Sequence, residues 1–220
     1  MGHVISQLRI SAPFRLRTDL HIARKLWHML SGITGLLVYY RTGAPASTAA
    51  TILLVVAILA FSVEFLRLRN ENFNNLIMFF LRPIMRESEK NSVSGLPFYA
   101  LGVSLSLFFF PTKIAILSVL FLIFADPIAS FFGILYGRDK ILPNKSLQGT
   151  IAAFSVCYTA TLVYSVLHAG SSMNVLTFAL LGGAIGALSE LCSQFVDDNL
   201  CIPVLSGLGL TIVNFFIPLF

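Results

Sequence analysis

Long apolar runs alternate with short polar segments along the chain. A helix needs ~20 mostly apolar residues to cross a ~30 Å hydrocarbon core, and several of the runs approach that length. No linker or low-complexity stretch separates them, so they predict one polytopic integral membrane domain of the all-α class, with about seven transmembrane helices. The predicted spans are residues 26–40, 47–65, 96–110, 114–136, 150–168, 175–195 and 202–219.

Two further segments are amphipathic rather than spanning. Residues 73–84 are apolar but short and end in Arg82-Pro83, which indicates an interfacial helix. Residues 5–20 resemble a stretch on the membrane surface and lack the compact apolar core of a removable signal peptide. We therefore predict an N-terminal cytoplasmic or interfacial segment, residues 1–23, followed by a membrane-embedded domain, residues 24–220.

The basic residues support this topology. If the N-terminus is cytoplasmic, thirteen of the fifteen Lys and Arg residues fall in cytoplasmic segments, and only Arg41 and Lys113 fall outside. Such a bias is the usual signature of membrane orientation. The carboxylates lie on or near the same face, except for Asp126 and Glu190, which interrupt predicted spans. Charged groups thus converge on the cytoplasmic side, where a charged substrate would be available.

Composition excludes several other classes of protein. The chain is 56% hydrophobic and 11% charged, with a mean hydropathy of +0.84, more apolar than a soluble domain of 220 residues. Its net charge of +5 is carried in short blocks beside apolar runs, so no nucleic-acid partner is predicted. Cys157, Cys192 and Cys201 lack CxxC spacing, and we interpret them as small buried hydrophobic residues.

Asp126 is the sharpest single feature, because an ionisable group within a span usually faces a cavity, a partner or an ion. It stands before Pro127 in "VLFLIFADPIASFFGILYG". Asp followed by Pro is a favoured helix start, so we predict that the span breaks here and that a half-helix begins at Ile128. Ala129 and Gly133 would then allow close approach of a neighbouring helix or a ligand.

A second group of acids ends the sixth span, in "GALSELCSQFVDDNLCIP". Glu190, Gln194 and Asp197 have the spacing of one helical face, and Asp198 lies beside it. Clustered carboxylates at a membrane surface suit Mg²⁺, which prefers oxygen ligands and bridges phosphates. The predicted metal ligands, for Mg²⁺ or another divalent cation, are Asp126, Glu190, Asp197 and Asp198.

A polar stripe enters the first span in "ARKLWHMLSG", where Arg24, His28 and Ser31 share a face and Lys25 precedes His28 by one turn. These residues point to catalysis, although Arg and Lys at a cytoplasmic helix end also serve topology. The predicted catalytic residues are Arg24, Lys25, His28 and Asp126.

The loop "GRDKILPNKSLQGT" joins the fourth and fifth spans. Its Lys145-Ser146 pair lacks the glycines of a P-loop, which argues against that NTPase fold. A cationic loop before a helix N-terminus can still bind a triphosphate by charge and hydrogen bonds. The predicted nucleotide-binding residues are Arg138, Lys140, Lys145, Ser146, Gly149 and Thr150 here, with Gly133 and Asn199 elsewhere.

Taken in order, "RKLWH", "DPIASFFGILYGR", "KSLQGT" and "DDNLCIPVLSG" resemble the CTP-dependent lipid kinases. This family includes dolichol, phytol and farnesol kinases and the CTP-dependent diacylglycerol kinase of yeast, and is distantly related to phosphatidate cytidylyltransferase. The resemblance runs from about Arg24 to the C-terminus. Gln148 departs from it, since family members often have Glu at that position.

The resemblance implies transfer of the γ-phosphate of CTP to a lipid hydroxyl, with Mg²⁺ or a similar ion. It implies that Arg24, Lys25, Asp126 and Gly133 match positions needed for activity. It further implies that the stretch with Lys145, Ser146 and Gly149 binds CTP. The family motif near the last span matches Asp197, Asp198 and Asn199.

Two alternatives stay open at this point. One is a cytidylyltransferase, which would join CMP to a lipid phosphate, and the other is a non-catalytic lipid transporter. The sequence does not indicate whether the acceptor is a polyprenol, a phytol-like alcohol or diacylglycerol. It also does not distinguish a bacterial inner membrane from a membrane of the endoplasmic-reticulum type. Gly182 and Gly186 would permit close packing within or between chains, and the oligomeric state stays open.

Overall fold

The computed structural model describes residues 20–169 and 173–220. Residues 5–19 of the predicted surface stretch, residues 5–20, and most of the predicted N-terminal segment, residues 1–23, therefore lie outside the described residues. Within the described ranges the regular secondary structure is helical apart from one small pair of strands. The helices are α1 (Ile22–Thr42), α2 (Ala46–Arg69), α3 (Glu71–Leu81), α4 (Gly95–Phe109), α5 (Thr112–Leu120), α6 (Asp126–Tyr136), α7 (Leu147–Ala169), α8 (Met173–Cys192) and α9 (Asp198–Phe216).

These elements follow the predicted apolar runs closely. Five helices in the described part are long and apolar enough to cross a membrane, namely Ala46–Arg69, Thr112–Tyr136, Leu147–Ala169, Asn174–Cys192 and Asp198–Phe216. The remaining two predicted spans also form helices: α4 is apolar but has 15 residues, and α1 begins with charged residues. The all-α class and the membrane location are confirmed, whereas the count of seven spans stays a prediction.

The helix that runs through α5 and α6 is the centre of the bundle. Of its most apolar stretch, 67% is buried inside the protein. The corresponding share for α2 is 17%, and α2 exposes apolar side chains to the surroundings. Ile114, Leu117 and Phe121 are fully buried and form the core with residues from α4, α7 and α9. A helix that is apolar all round and buried on most sides is typical of the interior of a membrane domain.

The predicted break of this helix at Asp126 is wrong, as is a new half-helix starting at Ile128. Asp126 has helical backbone angles, and the helix continues from Thr112 to Tyr136. A π turn over Phe121–Ala125 precedes Pro127 instead. Such wider turns occur as single bulges within α-helices, often at functional sites.

The π turn explains one contact of α1. Pro127 has no N–H, so the Leu122 carbonyl, five residues earlier, receives no π-type hydrogen bond from it. His28 donates from Nε2 to this carbonyl over 2.9 Å. Unpaired backbone groups are costly in hydrocarbon, so this hydrogen bond stabilises the helix at its π turn. His28 therefore has a structural role in addition to its position near Asp126.

Small residues bring α7 and α8 together. A Cβ on Gly182 would lie 2.6 Å from Thr161 Oγ1, and one on Gly186 would clash with Cys157. The spacing of Gly182 and Gly186 therefore allows close packing of two helices within the chain. Cys157 and Cys201 are buried as predicted, but the prediction is wrong for Cys192, which is exposed because α8 ends there.

The loop between α6 and α7 folds back as an antiparallel pair, β1 (Lys140–Leu142) and β2 (Lys145–Ser146). Gln148 donates from Nε2 to Asp139 Oδ2 over 2.7 Å, which ties the first turn of α7 to the start of this hairpin. A Glu at position 148 would place a second negative charge there, so Gln suits this contact.

A buried polar network joins α2, α3 and the short 3₁₀ turn Glu87–Lys90. Arg67 is fully buried. It donates to both carboxylate oxygens of Glu64, at 3.0 and 2.6 Å, and to Asn74 Oδ1 at 2.8 Å. It also donates to the Glu89 carbonyl over 2.9 Å. Each of the three guanidinium nitrogens thus has at least one acceptor, as a buried charge requires.

We expect Arg67→Gln to destabilise the protein by about 3 kcal/mol or more, because removing one partner leaves the Glu64 charge buried and unpaired. Thermal unfolding of the detergent-purified protein measures this. Arg69→Gln is the matched control, since Arg69 lies on the same helix but is exposed over the Phe65 ring. An equally small shift of the unfolding temperature in both variants would contradict the structural role of Arg67.

Candidate active site

Two adjoining cavities open at the end of the bundle where α1 and α9 begin and α2 and α8 end. The larger has a volume of about 420 Å³, within the usual range of small-molecule sites. The smaller has about 30 Å³, room for a group the size of a water molecule or hydroxyl. Four residues line both cavities, and these are Arg86, Asp126, Ser130 and Ile134.

The β-hairpin supplies one wall of the larger cavity. Lys145 reaches from β2 to α8, where it donates to Glu190 Oε1 and, over 2.8 Å, to Ser193 Oγ. Glu190 is buried, so its charge needs this cation. The pair holds the Lys145 ammonium at the cavity wall rather than free in solvent. Lys140, on β1, is exposed and also lines the cavity.

Close approach of two glycines shapes the floor of the larger cavity. Gly133 on α6 and Gly149 on α7 face each other, and a Cβ on Gly149 would lie 2.9 Å from the Ala129 carbonyl. Ser146 Oγ accepts a hydrogen bond from the Gly149 N–H over 3.3 Å. The glycines therefore let α7 begin directly against α6, and all three residues line the cavity.

The predicted acids do not all share one position. Asp126 and Asp198 line the larger cavity together with Glu190, whereas Asp197 lines neither cavity. The predicted common face of Glu190, Gln194 and Asp197 is wrong, because α8 ends at Cys192 and an irregular turn follows. In the described part of the chain, no three His, Cys, Asp or Glu residues lie close enough to hold a metal by themselves.

Asp197 acts as the N-cap of α9. Its Oδ1 accepts from the Asn199 N–H over 3.1 Å and from Asn199 Nδ2 over 3.0 Å. Asn199 Nδ2 also donates to the Gly95 carbonyl over 3.3 Å, which ties α9 to α4. Burial, followed by repulsion from the Asp198 carboxylate, raises the pKa of Asp197 to about 6. These contacts account for the positions of the Asp197 and Asn199 side chains without a bound ligand.

The smaller cavity is lined by the start of α1. Arg24 donates from Nη1 to both oxygens of Glu89, each over 2.8 Å, and to the Ile84 carbonyl. Lys25 donates to the Leu20 carbonyl over 2.6 Å. The two cations and His28 line this cavity along with Asp126. All four predicted catalytic residues are therefore brought to one place.

Some predicted nucleotide-binding residues lie apart from both cavities. Arg138 is exposed, Thr150 Oγ1 donates to the carbonyl of Ser146 at the end of β2, and Asn199 ties α9 to α4. Sequence reasoning missed Arg86 and Ser130, which line both cavities. Arg86 had been counted only as a topology signal. Ser130 stands four residues after Asp126, so helical spacing could have indicated it.

Sequence comparison finds named relatives over most of the chain. The protein named CTP-dependent diacylglycerol kinase 1 of Schizosaccharomyces pombe is 36% identical over 197 residues, covering 84% of this chain and 90% of its own length. The chain belongs to the CTP-dependent diacylglycerol kinase family. The likeness noted in the four sequence motifs is thereby confirmed.

Two other members of the CTP-dependent diacylglycerol kinase family carry the same name. The protein of Saccharomyces cerevisiae is 32% identical over 218 residues, covering 89% of this chain and 74% of its own length. The protein of Eremothecium gossypii is 31% identical over 219 residues, covering 90% and 69%. No family model matches the chain, and no solved structure matches it.

We expect Lys145→Ala to weaken CTP binding about tenfold or more, because a hydrogen bond to a charged group is lost, while the affinity for lipid stays within about twofold. Calorimetric titration of the purified protein with CTP measures this. Lys113→Ala, an exposed lysine far from both cavities, is the control.

The double variant Lys145→Ala/Glu190→Gln separates two roles of the lysine. It removes the unpaired buried carboxylate that Lys145→Ala alone creates. CTP affinity should remain low in the double variant. If affinity returns to that of the unaltered chain, Lys145 serves only to neutralise Glu190.

Proposed function

We propose that the chain transfers the γ-phosphate of CTP to the hydroxyl of diacylglycerol, forming phosphatidic acid and CDP. The observation that carries this proposal is the meeting of two cavities of very different size at Asp126. One has the volume and the cations for a nucleotide, and the other has room for a hydroxyl. The names of the three relatives favour diacylglycerol over a polyprenol or a phytol-like alcohol.

The nucleotide would occupy the larger cavity. Lys145 and Lys140 supply positive charge along its hairpin wall, and the Ser146 hydroxyl and the Gly149 backbone lie at its floor. Lysine ammonium groups act as point charges on phosphates, and the N-terminus of α7 adds a favourable dipole for an anion. Phosphoryl transfer needs such positioning and charge neutralisation more than covalent chemistry.

A divalent cation fits the two carboxylates that remain available. Mg²⁺ is commonly held by one or two carboxylates together with substrate phosphates. Asp126 and Asp198 line the larger cavity, whereas Glu190 is paired with Lys145 and Asp197 caps α9. We propose Asp126 and Asp198 as the ligands. When bound, the ion would neutralise charge on the phosphate oxygens.

The acceptor hydroxyl would enter the smaller cavity from the lipid side of α1, where Trp27 and Leu30 are exposed. Its oxygen forms the new bond to the γ-phosphorus, and the bond from that phosphorus to the β,γ-bridging oxygen breaks, releasing CDP. The hydroxyl proton passes to Asp126 or to His28 Nδ1, which is the acceptor of a neutral ring because Nε2 donates to Leu122.

We place this end of the bundle on the cytoplasmic side. The distribution of Lys and Arg supports that orientation, and it matches the compartment in which CTP is available. Both a bacterial inner membrane and a membrane of the endoplasmic-reticulum type are compatible with it.

Incubation of the purified chain with CTP and a panel of lipid alcohols tests the reaction, with mass spectrometry of the lipids. We expect phosphatidic acid from diacylglycerol, with CDP as the second product. Pyrophosphate and a CDP-lipid would instead identify a cytidylyltransferase, and no consumption of CTP would identify a transporter. Phosphorylation of a polyprenol or phytol in place of diacylglycerol would overturn the acceptor assignment alone.

Asp126→Asn should lower the rate of phosphate transfer by at least ~100-fold, because the amide can neither accept the hydroxyl proton nor bind a divalent cation as the carboxylate does. Asp198→Asn should raise the Mg²⁺ concentration that gives half-maximal activity about tenfold. Glu87→Gln, an exposed acid near the same end of the bundle, is the control. An unaltered Mg²⁺ requirement in Asp198→Asn would contradict its role as a ligand.

A further inference from the structure

Arg86 lies where the two cavities meet. Of the four residues that line both, it is the only cation, and the others are Asp126, Ser130 and Ile134. If the nucleotide fills the larger cavity and the hydroxyl the smaller, the transferring phosphoryl group must pass this shared wall. A cation at that position faces the reacting atoms, whereas Lys140 and Lys145 line only the larger cavity.

The backbone of Arg86 is held in place by the network around Glu89. The Arg86 N–H donates to Glu89 Oε2 over 2.8 Å, and its carbonyl accepts from the Glu89 N–H over 3.1 Å. Glu89 is itself bound by Arg24 through its carboxylate and by Arg67 through its carbonyl. The position of Arg86 is therefore set by a largely buried cluster of hydrogen-bonded charges.

The side chain of Arg86, in contrast, retains unused donor capacity. Its Nε is buried and has no hydrogen-bond partner in the described part of the chain. Three other cations at the site have partners, since Arg24 binds Glu89, Lys25 binds the Leu20 carbonyl and Lys145 binds Glu190. Lys140 is exposed, so water can hydrate its ammonium group. A buried donor without a partner is costly, and a phosphate oxygen would satisfy it.

We propose that Arg86 is a catalytic residue that contacts the γ-phosphate of CTP and stabilises the charge on its oxygens during transfer. The planar fork of an arginine matches phosphate oxygens in a way that lysine cannot. Negative charge is spread over the three equatorial oxygens in the transition state, and an arginine there accelerates transfer. This inference rests on the proposed function for the placement of CTP in the larger cavity and of the hydroxyl in the smaller one.

Comparison of CTP with CDP isolates the contact to the γ-phosphate. We expect the unaltered chain to bind CTP more tightly than CDP. Arg86→Ala should weaken CTP binding about tenfold or more, as for loss of a hydrogen bond to a charged group, and leave CDP binding within about twofold. Arg86→Lys should fall between, because it keeps the charge and loses the fork. Calorimetric titration in detergent measures all three, with Arg69→Ala as the exposed control.

The results separate this inference from the function itself. Equal loss of CTP and CDP affinity in Arg86→Ala would show a purely structural role, and no preference for CTP in the unaltered chain would exclude the γ-phosphate contact; either overturns the inference. If CTP binding depends on Arg86 but no lipid is phosphorylated, the inference stands and the proposed reaction falls. With diacylglycerol in mixed micelles, Arg86→Ala should lower kcat at least ~100-fold with little change in the KM for lipid.

Discussion

The structure depends on placing a carboxylate, Asp126, in the most buried helix of a membrane domain. An ionisable group at that depth is tolerated only beside a cavity or other charges. The π turn before Pro127 and the hydrogen bond from His28 to Leu122 accommodate the helix around it, and both cavities reach its side chain. Asp126 is thus where donor, acceptor and charge meet in a chain that is otherwise mostly apolar.

Two groups of paired charges support the site. One, formed by Glu64, Arg67 and Glu89, is buried and hydrogen-bonded, and it holds the segment before α4. The other is Lys145 with Glu190, which fixes the hairpin against α8. Paired charges give the site a defined shape, while Arg86 and the carboxylates of Asp126 and Asp198 face the cavities.

Several sequence predictions failed for identifiable physical reasons. Spacing placed Glu190 and Asp197 on one helical face, but α8 ends at Cys192 and the acids separate. The Asp-Pro pair predicted a helix break, yet the central helix is packed on most sides and stays continuous. A π turn before Pro127 accommodates the missing backbone N–H of the proline. The metal role of Glu190 stays a prediction, and no sequence signal indicated that the hairpin would bring Lys145 to this carboxylate. Local patterns carry no information about such long-range pairs.

The sequence by itself determined the membrane class, the positions of the helices and the family, because hydrophobic runs and short ordered motifs are local properties. It also identified Asp126, Lys145 and the α1 residues as candidates for the site. Only the tertiary structure decided which charges are paired and which face a cavity. It did so because partners such as Arg24 and Glu89, or Lys145 and Glu190, are separated by 65 and 45 residues and meet only when the helices assemble. For the same reason, Arg86 was recognisable as part of the site only in three dimensions.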